Sequence, residues 1–328
     1  MATVLANQVG GHAGVMTAED GSLIIKPCLK RELEFYRLLQ NSTEDNFVKL
    51  SKFTPKFLGT LTLEGQLSGQ TAEGVVQIEP VQAAEKESIV LENLTYKFSK
   101  PNVLDIKLGT VLYDEGASED KVQRMIKTAK ETTSFETGVR LTGFQVYDNH
   151  TQLAVNTPKS YGKSIKPSDL ADGIAKFFPV GLTRGDEEPS EEGRLGLPAQ
   201  TILPILTSIR SEIAQIKEAL SGIDMRMVGG SLLVVYEADW EKAAVGIKNY
   251  LETPPEDRDD VDDEEDDEEE SDAEDQAPPR AFNVKLIDFA HTKVEAGLGP
   301  DEGVLLGVNT VLNLLDGRIN QIKDKYKL

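Results

Sequence analysis

The stretch that most constrains this chain is Pro101-Asn102-Val103-Leu104-Asp105-Ile106-Lys107-Leu108-Gly109, which reads P-x-x-x-D-x-K-x-G. In an extended chain successive side chains point to opposite faces. Leu104, Ile106 and Leu108 then share one face and need an apolar layer to pack on, while Asp105 and Lys107 share the other. The pattern therefore predicts a strand at the end of a buried sheet, with a carboxylate and an ammonium side by side. Such a pair suits phosphate chemistry, because one group orients a hydroxyl and the other holds anionic oxygens. A lone D-x-K is equally an ion pair on a strand surface, so the rest of the sequence has to decide.

Three further stretches decide it: Gln8-Val9-Gly10-Gly11-His12, Ser231-Leu232-Leu233 and Ile287-Asp288-Phe289-Ala290-His291. Together with residues 101–109, and in this order, they resemble the signatures of the inositol polyphosphate kinase family over nearly the whole chain. The resemblance implies an α+β, two-lobed kinase-like fold, related to ATP-grasp and protein kinases. A small antiparallel N-lobe would span residues 1–95 and a larger α+β C-lobe residues 96–328. ATP and Mg2+ are the implied cofactors, and soluble inositol phosphates the implied acceptors.

Composition bounds the rest. At 328 residues the chain is long enough for about two domains and a sizeable core. A single cysteine, Cys28, leaves no internal disulfide and points to a reducing compartment. No apolar run reaches the ~18 residues of a membrane span. The opening MATVLANQVGGHAG lacks a secretory signal, so the nucleus and cytoplasm are the expected location. The net charge of −21 belongs mostly to one place: residues 256–275 hold sixteen acids and one arginine, leaving only −6 elsewhere. Residues 252–279 are read as a disordered acidic insertion. It could bind basic nuclear proteins, whereas its charge disfavours direct nucleic-acid binding. A monomer is expected.

Along the chain, residues 7–26 read as two strands around a glycine-bearing turn, suited to approaching phosphates. Lys26 closes the apolar strand Ser22 to Lys26, where kinase-like folds carry the lysine that clamps ATP. Lys30 to Gln40 reads as a helix in which Glu32 is the candidate partner of Lys26 and Glu34 the runner-up. Phe53 to Leu63 and Gly74 to Pro80 read as strands. Ser88 to Leu91 is a short strand leading into a hinge, where backbone groups of Glu92 and Leu94 would by resemblance hydrogen-bond adenine. Ser118 caps a helix over residues 118–133, with Lys121, Arg124 and Lys127 on roughly one face. Val139 to Tyr147 is a strand and Asn149 to Ser164 a polar loop, whose Tyr161-Gly162-Lys163 resembles a substrate-side element of the family. Ser168 is read as the cap of a helix through Phe178, and Ile202 to Leu220 as an amphipathic helix. Phe282 to Phe289 is a strand carrying Asp288, and Asp301 caps a last helix through Leu315.

By resemblance, Asp288 ligates magnesium with help from Ser231, and Lys26 holds the ATP phosphates. Lys107 bridges the γ-phosphate and the acceptor. Asp105 contacts either the ribose or the acceptor hydroxyl, and these alternatives stay open. Lys121, Arg124, Lys127, Lys163 and His291 would hold the inositol phosphate. The chain lacks an H-R-D-x-x-x-x-N loop, has Asp288-Phe289-Ala290 in place of D-F-G, and carries no Walker A lysine, which argues against a protein kinase and a P-loop enzyme. Three scattered histidines and one cysteine give no zinc spacing. The short segment between Gly109 and Val139 suggests an open acceptor pocket, so within the family the chain looks most like the multikinases of fungal type. Hexakisphosphate kinases and trisphosphate 3-kinases are the alternatives. A reading from another class is a non-catalytic nuclear interaction protein acting through its acidic loop.

Overall fold

The computed structural model describes residues 3–4, 15–62, 66–70, 76–79, 87–181, 195–255, 258 and 279–328. The N-terminal part runs β1 (Thr3–Val4), β2 (Met16–Thr17), β3 (Leu23–Pro27), α1 (Lys30–Asn41), α2 (Asp45–Ser51), β4 (Phe57–Thr62), β5 (Gln66–Gln70), β6 (Val76–Glu79) and β7 (Glu87–Glu92). Its main sheet is antiparallel in the order β1-β2-β3-β7-β4, and β5 and β6 pair separately. Leu33, Tyr36 and Leu39 recur at helical spacing on α1 and are buried, as is the neighbouring Phe35.

The C-terminal part begins with β8 (Pro101–Leu108), the strand that the alternation of residues 101–109 requires. Then come α3 (Glu119–Glu131), α4 (Ser134–Thr137), β9 (Val139–Asp148), β10 (Leu153–Thr157), α5 (Tyr161–Ser164) and α6 (Leu170–Phe177). The chain continues with α7 (Ala199–Ser221), β11 (Met225–Val228), β12 (Ser231–Glu237), α8 (Trp240–Glu252), β13 (Phe282–Ile287), β14 (His291–Val294) and α9 (Glu302–Tyr326). The large sheet is antiparallel in the order β10-β9-β8-β12-β13. Its apolar face carries Leu104, Ile106 and Leu108 into a core shared with α7 and α9. The α7 stripe Ile202, Leu206, Ile209, Ile213 and Ile216 is fully buried, each side chain contributing roughly 1.5–3 kcal/mol.

The two parts meet where the chemistry is expected. Phe35 and Tyr36 of α1 place their rings 4.5 and 5.5 Å from that of Phe289, just past β13. The Leu286 N–H donates to the Phe53 carbonyl, 2.7 Å away. The architecture is the expected two-lobed α+β arrangement.

Several sequence expectations change. Phe53–Lys56 precede β4 and do not belong to it, and α2 and α8 were not expected at all. The stretch 149–164 is no simple loop but holds β10 and α5. Ser168 lies in a 3-10 turn, Pro167–Asp169, and Asp169 occupies the cap position of α6 without a side-chain capping bond. The last helix does not stop at Leu315 but runs to Tyr326, because Ile319 and Ile322 continue the buried stripe past Gly317. The motif at residues 8–12, the strand around Val9 and nearly all of the acidic insertion lie outside the described residues; Glu252 itself closes α8.

Candidate active site

Lys26, the next-to-last residue of β3, has its ammonium 2.9 Å from Glu32 Oε1 and 2.8 Å from Asp288 Oδ1. The second ion pair joins the lobes. Asp288 Oδ2 in turn accepts from Lys107 Nζ at 3.2 Å, and Lys107 also donates to the Gly229 carbonyl at 2.6 Å. Glu32, rather than Glu34, is thus the partner of Lys26; Glu34 pairs with Lys30. One carboxylate is gripped by two lysines. Burial pushes Asp288 upward, but the charges and hydrogen bonds of Lys26 and Lys107 outweigh it and hold the carboxyl at about 2. Burial likewise opposes the charge on Lys26, yet Asp288 and Glu32 raise its pKa above the ordinary lysine value. Asp288 has φ 66°, a left-handed backbone that is strained for a non-glycine residue and recurs at functional sites.

Asp105 and Ser231 stand on the same sheet face. Ser231 is the register partner of Lys107 on β12 and of Ile287, next to Asp288, on β13. Asp105 is 1% exposed, and neither of its carboxylate oxygens has a hydrogen-bond partner among the described residues. The buried Ser231 Oγ lacks one as well. Burial raises the pKa of Asp105, while Lys107, the neighbouring Ser231 hydroxyl and Lys159 pull it down. Buried polar groups left without partners are rare and mark a place where a ligand completes the bonding.

The acceptor-side candidates are spread more widely. Ser118 caps α3 by accepting from the Lys121 N–H. Lys121 is half-buried, Arg124 and Lys127 are exposed, and Lys127 lies 3.7 Å from Glu131. Lys163 is exposed on α5. His291 opens β14 with Nδ1 2.6 Å from Asp114 Oδ2, so that nitrogen is already engaged and only Nε2 could meet a ligand. Asp114 and His291 line a cavity of about 460 Å3 with Arg31, Thr110 and Lys293. On the hinge, the Glu92 side chain accepts from the Lys56 N–H, and the Leu94 N–H donates to none of the described residues.

These residues suit a nucleotide with its divalent ion. Such an ion takes one or two protein oxygens and completes its shell with phosphates and waters. Asp288 and Ser231 supply that donor set, and among the described residues no cluster of three or more His, Cys, Asp or Glu forms an all-protein cage. Sequence reasoning missed Arg140 and the Gly229 carbonyl. Arg140 faces Lys107 across the β8–β9 pairing, and only strand register reveals it.

Comparison with known proteins shows the family and the fold. The chain is 31% identical to the inositol polyphosphate multikinase of Saccharomyces cerevisiae, over 95% of its own length and 97% of the relative's. It is 33% identical to the multikinase of Schizosaccharomyces pombe over 52% of this chain and 61% of that one. The crystal structure of the S. cerevisiae inositol phosphate multikinase Ipk2 in complex with ADP and Mn2+ superposes with a TM-score of 0.61 at 28% identity, covering 91% of this chain and 100% of that one. The inositol polyphosphate kinase family model matches residues 88–316, and the chain belongs to that family.

Proposed function

We propose that the chain transfers the γ-phosphoryl group of ATP to hydroxyls of inositol tris- and tetrakisphosphates, with Mg2+ as its ion. The observation that carries this reading is the Asp288 carboxylate held between Lys26 and Lys107, beside the buried and unpartnered Asp105. Phosphoryl transfer asks the protein chiefly for positioning and charge stabilisation. Asp288 and Ser231 would hold Mg2+, which neutralises charge on the phosphates. When ATP arrives, the two lysines exchange part of their contact with Asp288 for phosphate oxygens. Lys26 stays anchored by Glu32, so it is aimed before the nucleotide binds. Asp105 accepts a hydrogen bond from a hydroxyl, and its raised pKa makes it the better proton acceptor of the two aspartates. Whether that hydroxyl is the acceptor's or the ribose's is decided by the variants below.

The test is to incubate the chain with ATP, Mg2+ and a panel of inositol phosphates and to separate the products. Tris- and tetrakisphosphates should gain phosphates. A panel in which only the hexakisphosphate reacts would support a hexakisphosphate kinase, a reading favoured by the 28% identity to rabbit inositol hexakisphosphate kinase 2 over 69% of this chain. A panel without product would end the kinase reading.

Lys107→Ala and Lys26→Ala should separate in steady-state kinetics. Lys26→Ala is expected to act mainly through the KM for ATP, and Lys107→Ala to lower kcat and raise the KM for inositol phosphate. Equal effects of both on both substrates would show that the roles are divided wrongly. Asp105→Asn should lower kcat with the KM for ATP unmoved if Asp105 meets the acceptor, and should raise the KM for ATP if it meets the ribose.

On α3, changing Lys121, Arg124 and Lys127 together to alanine should raise the KM for inositol phosphate more than it lowers kcat. Added salt should weaken acceptor binding more than ATP binding, because exposed charges are screened over about 10 Å at 0.1 M salt. A triple variant that phosphorylates inositol trisphosphate like the wild type would move the acceptor pocket off this helix.

A further inference from the structure

A second concentration of charge lies away from the phosphate site, at the outer edge of the large sheet. β13 is the last strand in the order β10-β9-β8-β12-β13, so one of its edges has no neighbouring strand. Between that edge and α8 runs a cleft of about 170 Å3. Its charged lining is Lys52, Lys97, Arg258, Arg280 and Lys285 against a single acid, Glu212. The cleft straddles the lobes: Lys52 follows α2, Lys97 follows the hinge, and Lys285 sits on β13. Lys285 Nζ donates to the Lys52 carbonyl across this junction at 2.6 Å.

The walls of the cleft are held in place. Tyr250 packs its ring 4.8 Å from that of Phe282, and the Arg258 guanidinium lies 4.2 Å from the Tyr250 ring centroid. Arg258 Nε also donates to the Thr253 carbonyl at 3.0 Å. The one acid is partly occupied, since Glu212 Oε1 accepts from the Tyr250 hydroxyl at 3.1 Å. Cations gathered in a concave site reinforce one another's potential and favour an anion there. The space is smaller than the roughly 300–1,000 Å3 of small-molecule pockets, which suits carboxylate side chains better than an organic ligand.

The chain itself supplies such carboxylates at the rim. Arg258 and Pro279 both line the cleft. The twenty residues between them, 259–278, carry fourteen Asp and Glu and no Lys or Arg. A run that starts and finishes at the site meets it at roughly millimolar effective concentration. We propose that the cleft is a dock for this run, its cations pairing with carboxylates of residues 259–275. The docked run draws on cations of both lobes and braces them beside the hinge. It also shuts other polyanions out of the cleft. The docking is independent of which alcohol the chain phosphorylates.

Fluorescence anisotropy of a labelled synthetic peptide with the sequence of residues 259–275 tests this, with the full chain and with a variant lacking those residues. The peptide should bind the deletion variant more tightly than the full chain by about tenfold or more, because in the full chain the tethered run competes for the cleft. Raising salt from about 0.1 M to about 1 M shortens the screening length from about 10 Å to about 3 Å and should abolish the binding. Lys97→Glu with Arg280→Glu, in a deletion variant that still folds by circular dichroism, should abolish it too. Equal affinity for the full chain and the deletion variant, or none for either, would overturn the proposal. So would binding that survives the two cleft substitutions. Binding lost when Lys121, Arg124 and Lys127 are changed instead would also overturn it, since the peptide would then lie on α3. If the deletion variant is unfolded, a full-length variant with every Asp and Glu of 259–275 changed to Asn or Gln takes its place in the same assay.

Discussion

Asp288→Asn is expected to lower kcat by about a hundredfold or more while the chain stays folded, since removing one preorganised electrostatic contact typically has that effect. Asparagine is the informative substitution because it tolerates the left-handed backbone that residue 288 adopts and keeps the shape of the side chain. Only the charge goes. Lys26 keeps Glu32 and Lys107 keeps the Gly229 carbonyl, so neither lysine is left without a partner. A variant with near-wild-type kcat at saturating Mg2+ would refute the assignment. The same substitution has a signature in stability. The folded pKa of Asp288, about 2, lies below the ordinary aspartate value of 3.8. Its carboxylate therefore stabilises the fold fully above pH 3.8, and that contribution is lost as pH falls through 2. The stake is about 2 kcal/mol, so thermal melts of wild type and variant should converge between these two pH values. Curves that stay parallel would show that the two lysines do not stabilise the charge.

Gly162→Ala is expected to destabilise the chain by about 3 kcal/mol or more, at the upper end of overpacking effects. A Cβ at this position would stand 1.6 Å from the Leu141 carbonyl oxygen and 2.7 Å from its carbon. Both obstacles are backbone, so no change of rotamer relieves them, and either α5 or β9 must move. Gly317→Ala is the control. Nothing lies within 4 Å of a Cβ there, in the middle of α9, and the change should be neutral or stabilise by up to about 1 kcal/mol. Urea denaturation of both variants reads the difference, and a Gly162→Ala midpoint equal to wild type would show that this contact is loose.

The features legible in the sequence were those written in local pattern. Alternation in residues 101–109 specified β8, and its two faces sort as that pattern requires. Ser118 capped its helix because a hydroxyl at that position meets an amide three residues on. The pairing of Lys26 with Glu32 was readable because the helix follows the strand so closely. The misses have physical causes too. β10 is an edge strand whose Leu153 and Val155 are exposed, so hydrophobic alternation carries no signal for it. The last helix was read only as far as Leu315, but the burial of Ile319 and Ile322 carries it on past Gly317 and outweighs the modest cost of glycine inside a helix. Arg140 was invisible for another reason. Its place opposite Lys107 depends on the register between two strands, and a bulge sets that register.

β13 joins two different jobs end to end. Its Ile287 end leads straight into Asp288, and its Phe282 end follows the acidic segment that separates it from α8. The six residues between put roughly 20 Å, at about 3.4 Å per residue, between the insertion and the phosphate chemistry. The strand is held in register by β12 along its whole length, from Tyr236 opposite Phe282 to Ser231 opposite Ile287. Ala281 is also buried and accepts from the Glu237 N–H, so residues can be gained or lost ahead of Pro279 without sliding Asp288 against Ser231. This junction is a natural docking port for added sequence: an affinity tag or fluorescent domain spliced there would ride on the enzyme while leaving Asp288 and Ser231 in step.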